Sequence, residues 1–381
     1  MKLRKTKEEL EQLKQKYNTD VLWSFSKINN FTTCCYCYYL KYIKKEKELD
    51  DSTYAILGNN AHDILERLYN NEIKYEDMIN EFDGVMLSAE LNDMKFDRYD
   101  NDKNENIKNK YTKCLQHFFQ NHIPVKSKCM TEEFIVINVN NNYFQGYVDF
   151  IHKEDDTYII TDFKTSTIYT GQKIQKEGKQ LILYALGLHQ KKVPLDKIKI
   201  RWNFLKYNSV TFTLKNGKEK TMNCERYIWV GSIKSYLRRN LKDLGYDENE
   251  AEIMLDKCIN DNDISSLPKE IQDLYSIDDC YVYIEFNQDA IDNLVNDLTE
   301  TIEKIKKKEK QFEIMNDDII FNREILDKDS YFCLNLCGFN SSQCRLFKEY
   351  LENRDMFKDK GKGKSDDDVL DMDWMKEIGL V

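Results

Sequence analysis

The chain has 381 residues, 41% of them hydrophobic and 12% aromatic, enough to bury one large core or two ordinary ones. Charged residues reach 33%, prolines number only three and the formal net charge is −10, a profile of long solvated helices in which acidity weighs weakly against a nucleic-acid partner, since charge can be segregated. No apolar run approaches the ~18 residues of a membrane span, and the start from Met1 to Leu13 has no apolar stretch of a secretory signal, so a soluble, cytoplasmic chain without membrane contact is expected; its eleven cysteines are then thiols or metal ligands, not disulfides.

In chain order, Thr6-Lys7-Glu8-Glu9 predicts a capping box opening a short N-terminal helix. An aromatic-rich stretch, Trp23 to Tyr42, is expected to be helical from about Ser26, and a second helix runs from Ile56 to about Tyr69. Residues 70–122 are expected to be mostly helical. The pattern then changes to strands at Glu133–Ile137, Tyr143–Ile151 and Tyr158–Lys164, separated by turns at Asn140–Asn142 and Lys153–Asp156. A helix is expected over Lys179–His189 and an alternating strand over Ile198–Phe204, followed by hairpin turns at Asn208–Ser209 and Asn216–Gly217. From Tyr227 to Gln311 the pattern returns to helix. Strands enclosed by helices predict an α/β domain.

The chemistry sits on the predicted hairpin. Gly146-Tyr147-Val148-Asp149 ends one strand and Asp162-Phe163-Lys164 the next, and the period of two puts Asp162 and Lys164 on one face. The hairpin brings Asp149 across from Asp162. Two ionised carboxylates ~4 Å apart repel by roughly 4 kcal/mol at an effective dielectric of ~20. A divalent cation offsets that, and hard oxygen ligands suit Mg²⁺ or Mn²⁺. A lone D-x-K is more often a solvated edge. Here Gly58-Asn59-Asn60-Ala61-His62 precedes the hairpin, with Glu66 one turn on and able to orient the imidazole; Glu132-Glu133 offers a further acid; and Gln180 and Tyr184 follow on one helical face.

The order G-x-x-x-H, G-x-x-D, D-x-K, Q-x-x-x-Y resembles the RecB-type branch of the PD-(D/E)xK nucleases. Ser24-Phe25-Ser26-Lys27-Ile28-Asn29-Asn30-Phe31-Thr32-Thr33-Cys34 is similar to the S-x-S-x-L-x-x-F-x-x-C-P opening of AddB- and RecB-like nuclease domains, with Cys35 where proline is usual. The resemblance spans roughly residues 24 to 347. It implies a restriction-endonuclease-like core, a central mixed β-sheet flanked by helices, with helical insertions at about 70–130 and 223–312 and a C-terminal cysteine-rich segment. The expected organisation is an N-terminal helix over 1–22, a nuclease domain over 23–347, and a charged linker with an acidic-hydrophobic tail over 348–381. The implied activity is Mg²⁺- or Mn²⁺-dependent hydrolysis of DNA, by an exonuclease or flap-type nuclease acting on single strands or ends in replication, recombination or repair. Asp149, Asp162, His62 and the Phe163 carbonyl would hold the metal, Lys164 would position or activate water, and Gln180 and Tyr184 would order the strand. The alternatives are a catalytically silent DNA-binding or scaffolding module of the same fold and a sequence-specific endonuclease.

Cys333, Cys337 and Cys344 cannot close a tetrahedral site alone, and Cys34 offers a fourth ligand, with Cys35 and Cys37 as alternatives. The resemblance implies a [4Fe–4S] cluster, as in AddB and the CRISPR-adaptation nucleases, although the spacing here is C-x₃-C-x₆-C and not C-x₂-C-x₅-C; structural Zn²⁺ is the alternative. Cys114, Cys129, Cys224, Cys258 and Cys280 read as core residues. On the helix near Trp229 to Lys242, Lys234, Arg238 and Arg239 are candidate DNA contacts, with a solvated face as the bland alternative. The tail after Phe357, acidic at Asp366-Asp367-Asp368 and then apolar, is either a docking peptide for a replication or recombination protein or a disordered end.

Overall fold

A computed structural model describes residues 4–49, 52–98, 100–326 and 329–358. The fold is a mixed α/β one, a seven-stranded sheet flanked by helices. Helix α1, Lys7–Tyr17, opens with the expected capping box, Thr6 and Glu9 satisfying each other's backbone donors. It buries none of its own residues; Tyr17 stacks on Tyr143, and the Lys5 N–H donates to the Tyr147 hydroxyl. Strand β1, Leu22–Ser24, is followed by α2, Phe25–Thr33, capped by the Ser24 hydroxyl. The single aromatic-rich helix expected here is broken. Cys34 adopts extended backbone, and its sulfur accepts from the Cys37 N–H to start α3, Cys35–Tyr38, which runs on into a π-helical turn over residues 39–43.

Helices α4 (Thr53–Tyr69), α5 (Asp77–Leu91) and α6 (Asn101–Asn121) cover one face of the sheet. Their apolar side chains close a core with Phe150, Phe163 and Leu205. Strands β2 (Cys129–Val139), β3 (Asn142–Glu154) and β4 (Thr157–Lys164) form the expected meander, with Asn140, Asn141 and Asp155 supplying left-handed turn residues. Helix α7, Gln172–Gln190, begins seven residues earlier than its apolar run suggested and packs on the opposite face. Strand β5, Ile198–Thr213, lies parallel to β4 and runs straight through Asn208–Ser209, where a turn was expected; the turn before β6, Glu219–Glu225, is at Gly217.

The second helical stretch is also interrupted. After α8 (Trp229–Ser232), α9 (Lys234–Asp243), α10 (Glu248–Asp261) and α11 (Lys269–Gln272), residues Tyr275–Ile284 form β7, antiparallel to β5. Pairing on β5 supplies what local pattern did not: the burial of β7 is irregular, and a register shift of the ladder lies between Asn203 and Asn208. A buried polar chain locks β7 to the helical layer. Tyr69 bonds His122, His122 bonds Asp279 at 2.8 Å, and Arg226 pairs with the other Asp279 oxygen at 2.5 Å. Helix α12, Gln288–Met315, and α13, Arg345–Lys358, complete the fold. The expected linker and tail from Asp359 onward lie outside the described residues.

Candidate active site

One edge of β3 changes partner midway. Tyr143–Gln145 pair with β1, and Phe150–Glu154 pair with β4, so Gly146–Asp149 have no strand partner on that edge. The β3–β4 ladder stops at Phe150 and Thr161, leaving Asp162–Lys164 to pair only with β5 on the other side. Asp149 and Asp162 therefore face each other across a notch in the sheet, one step beyond its last paired residues, with the start of α2 above it. Period-two alternation turns Phe163 into the helical-layer core while Asp162 and Lys164 point the other way.

The notch is densely charged. Lys164 Nζ lies 2.7 Å from Asp162 Oδ2. The His62 ring reaches in from α4, with Nε2 2.6 Å from the Phe163 carbonyl and Nδ1 3.3 Å from Asp149 Oδ2. Both ring nitrogens thus face the hairpin. Gly58, one turn before His62, packs on the strand exit, where an added Cβ would come 3.3 Å from Thr165 Oγ1.

Burial, then the neighbouring Asp162 charge, holds the Asp149 carboxyl well above the usual carboxylate range, with Lys164 opposing and Glu132 adding to the rise. Burial also pushes the His62 imidazole down against the pull of Asp162, which favours the neutral form that can ligate a metal. Lys164 goes the other way: burial lowers its proton affinity, but Asp162, Tyr169 and Asp149 together raise it above that of an ordinary lysine. It remains an ammonium at neutral pH.

Gln180 and Tyr184 stand on the α7 face that looks into the notch, joined by a 2.9 Å bond from Gln180 Nε2 to the Tyr184 hydroxyl. Tyr184 explains Gly146. A Cβ there would lie 2.7 Å from Tyr184 Cε1 and 3.0 Å from its hydroxyl. Together these residues line a groove of about 410 Å³ with Asp149, Glu132, Ser24, Ser26, Arg4 and Lys5. Sequence patterning gave Glu132 only faint weight and missed Arg4 and Lys5. Glu132 has φ of 45° inside a strand, a left-handed conformation costing roughly 1–2 kcal/mol for a residue with a Cβ; such strain, set against Asp149, marks it as part of the site.

The donor chemistry fits a hard divalent cation. Asp149 Oδ2 and Asp162 Oδ2 are buried and accept no well-aligned hydrogen bond, their near contacts being His62 Nδ1 at 3.3 Å and Lys164 Nζ at 2.7 Å, so two carboxylates lie together with spare lone pairs that a cation would satisfy. No group of three His, Cys, Asp or Glu side chains already has metal-site spacing among the described residues.

The cysteines converge elsewhere. Cys37 Sγ lies 3.6 Å from Cys337 Sγ, and Cys34, Cys333 and Cys344 are close enough to interact electrostatically with Cys337. Backbone N–H groups of Cys37 and Phe339 donate to Cys34 and Cys337, as donors do around ligated thiolates. Bonding from Cys37, with Arg323 nearby, overcomes burial and brings the Cys34 thiol down to about 6. Cys35 is turned away and donates to the Phe321 carbonyl at 3.0 Å. Thus Cys37, a secondary candidate in the sequence, joins the expected four and Cys35 does not. Thiols are the donors a soft metal takes, but no three of these cysteines stand at metal-ligating spacing among the described residues. Cys114, Cys224, Cys258 and Cys280 are buried in the core, and Cys129 is half-buried.

The basic face of α9 is otherwise engaged. Lys234 pairs with Glu252 at 3.0 Å and Asp256 at 3.4 Å, Arg238 also pairs with Glu252, and Arg239 lies over the Tyr236 ring. Lys234 and Arg238 are thus paired with acids of α10, while Arg239 stays exposed. No helix among the described residues is long and apolar enough to cross a membrane.

The family model described as the PD-(D/E)XK nuclease superfamily matches residues 22–338. No curated protein matches the chain.

Proposed function

Since the chain belongs to the PD-(D/E)XK nuclease superfamily, we propose that it is a Mg²⁺- or Mn²⁺-dependent deoxyribonuclease of the RecB/AddB-like branch, hydrolysing phosphodiester bonds at single-stranded or processed DNA ends. The observation that carries this reading is the buried carboxylate pair Asp149 and Asp162, with Lys164 against Asp162 and Asp149 lining a groove. In this reading Asp149, Asp162, His62 and the Phe163 carbonyl hold the cation, which when bound polarises the phosphate and lowers the pKa of water. Lys164, kept protonated by its carboxylate neighbours, is a hydrogen-bond donor and cation and not a base. It orients the attacking water and stabilises charge growing on the phosphate oxygens. Water oxygen bonds to phosphorus and the bridging P–O bond breaks, leaving a phosphate on one side and a hydroxyl on the other. Tyr184, fixed by Gln180 and by its contact with Gly146, lines up the strand.

The branch assignment extends to the sulfur cluster. Cys34, Cys333, Cys337 and Cys344, with Cys37 in contact, would hold a [4Fe–4S] cluster or Zn²⁺ that fastens the C-terminal segment to α3. Its role is mechanical, since it lies away from the notch. A partner in replication or recombination would be met through the tail.

Digestion of labelled single-stranded, duplex and flapped DNA with Mg²⁺ or Mn²⁺ tests the proposal. Asp149→Ala and Lys164→Ala should each cut the rate by at least ~10²–10³-fold, the scale of losing one transition-state contact. Equal rates for wild type and both variants would overturn it.

A further inference from the structure

The family match begins at residue 22, and the helix before it is weakly packed. Helix α1 buries none of its own residues, so it gains little of the apolar burial that holds most helices in place. It is nevertheless carried along β3, the strand of Asp149. Tyr17 stacks on Tyr143 with ring centres 4.7 Å apart, where β3 pairs with β1. At the other end of the arm the Lys5 N–H donates to the Tyr147 hydroxyl at 2.6 Å. Arg4 lies 5.4 Å from the centre of the Tyr147 ring and the Lys5 ammonium 5.8 Å from that of Phe134. Those two rings pair across β2 and β3, edge to face at 5.2 Å. Aromatic side chains thus fix the arm at both ends.

That placement brings cations to an acidic groove. Among the described residues that line it, the cations are Arg4 and Lys5 and the acids are Glu132 and Asp149, while Lys164 is held against Asp162 at 2.7 Å. A strand whose scissile phosphate lies at the carboxylates brings its flanking phosphates past the same acids, which repel them. The two cations are not equivalent. Lys5 Nζ is bound to Glu9 at 2.6 Å, itself part of the capping box of α1, and its N–H is taken by Tyr147, so Lys5 anchors the arm. Arg4 is exposed, and among the described residues its guanidinium makes no hydrogen bond or ion pair. Contact with the Tyr147 ring holds it without using an N–H donor, which leaves the whole fork for phosphate oxygens.

We propose that Arg4 is a substrate-binding residue that this chain adds to the nuclease site from outside the matched region: it takes a phosphate flanking the scissile one, and Lys5 and Tyr147 position it. The proposal rests on the nuclease reading above. A flanking phosphate carries the same charge before and during the reaction, so the contact strengthens ground state and transition state alike and acts on KM and not on kcat.

Binding and cleavage by the full-length protein test it. Binding of a fluorescent single-stranded DNA oligomer to Lys164→Ala protein with Ca²⁺ is followed by anisotropy against salt, with and without Arg4→Gln. Losing one phosphate contact should lower the slope of log affinity against log salt by about 0.7, with the melting temperature unchanged, and Arg4→Lys should restore the slope. A series of oligomers, each with one phosphate replaced by a neutral methylphosphonate, locates the contact. One flanking position should weaken binding roughly 10-fold where Arg4 is present and leave Arg4→Gln unaffected. In cleavage with Mn²⁺, Arg4→Gln alone should raise KM and keep kcat. An unchanged slope, or a methylphosphonate pattern that is the same with and without Arg4, overturns the contact while leaving the nuclease reading intact. So does a higher kcat/KM for Arg4→Gln, which would make the arm an obstruction of the groove. Failure of wild type to cleave DNA with Mn²⁺ or Mg²⁺ overturns the nuclease reading and the contact with it.

Discussion

Gly146→Ala isolates the packing of Tyr184 from every other property of the site. The added methyl carbon would sit 2.7 Å from Tyr184 Cε1, short of the ~3.5–4.0 Å of an ordinary carbon contact by roughly 1 Å. Gly146 has no left-handed backbone to strain, so the ring alone must give way. Tyr184 is buried and bonded to Gln180, so its displacement carries Gln180 with it. Overpacking of this kind costs about 1–3 kcal/mol, and a ~1 Å misplacement beside the reacting atoms costs ~10²-fold in rate. Gly187→Ala is the matched control. It lies on α7 with Tyr184 but drives a methyl to 2.4 Å from Ile135 Cδ1 and 2.8 Å from Ile137 Cγ1, on the core side. Melting curves and initial cleavage rates on labelled single-stranded DNA are measured for both. Gly146→Ala should lose about 100-fold in kcat with a melting loss of a few degrees; Gly187→Ala should melt lower still and, assayed below its transition, keep its rate. A wild-type rate for Gly146→Ala, or an equal rate loss in both variants, would refute the role given to Tyr184.

Asp149→Asn should stabilise the metal-free protein at neutral pH. The folded carboxyl has a raised pKa, so its stabilising proton is fully present below the unfolded value of ~3.9 and is lost as pH rises through the folded pKa; melting in chelator from pH 4 to 8 should show the variant's advantage growing with pH, and Mn²⁺ should remove it by stabilising wild type. A constant difference across that range would count against the charge pair. Anaerobically purified protein should be brown, or zinc-loaded if colourless. Cys344→Ser should lose the metal and roughly 4–5 kcal/mol if loss of a long-range cross-link sets the scale, whereas Cys35→Ser, whose thiol faces Phe321, should keep both; metal analysis and melting decide, and retention of metal by Cys344→Ser removes it from the ligand set. Asp279→Ala leaves Arg226 buried without its carboxylate and should cost about 3–5 kcal/mol by urea unfolding, a result under ~1 kcal/mol showing that the network relaxes without harm.

The parts of this site written in short-range pattern were legible in the sequence. Asp162 and Lys164 share a face because strands alternate, and the turns at Asn140-Asn141 and Asp155 fixed the meander that sets Asp149 opposite. The notch itself was not legible, because it depends on β1 replacing β4 as the neighbour of β3, a contact made by three residues from the far N-terminus. Strand β7 was hidden for a related reason. Its Ser276-Ile277-Asp278-Asp279-Cys280 stretch has no clean period of two, since Asp279 and Cys280 both turn inward where the ladder with β5 is irregular. Glu132 carried no sequence signal beyond its charge; only its backbone angle and its place across from Asp149 single it out. Lys234 and Arg238, candidate DNA contacts with a solvated face as the alternative, pair with acids of α10, partners that the α9 stretch alone does not reveal. Cys34 and Cys37 could not be ranked from spacing, because an extended residue at Cys34 breaks the helix that would have related them.

The sulfur contact between Cys37 and Cys337 joins positions 300 residues apart, and that separation has a consequence in time. On the ribosome the chain grows at ~5–20 residues per second, so α3 waits roughly 15–60 seconds for its sulfur partner. During that interval its thiols stand without the segment that carries Cys337. The strands that hold Asp149, Asp162 and Lys164, β3, β4 and β5, are all made before that segment, so the carboxylates come early and the sulfur contact that fastens α3 comes late.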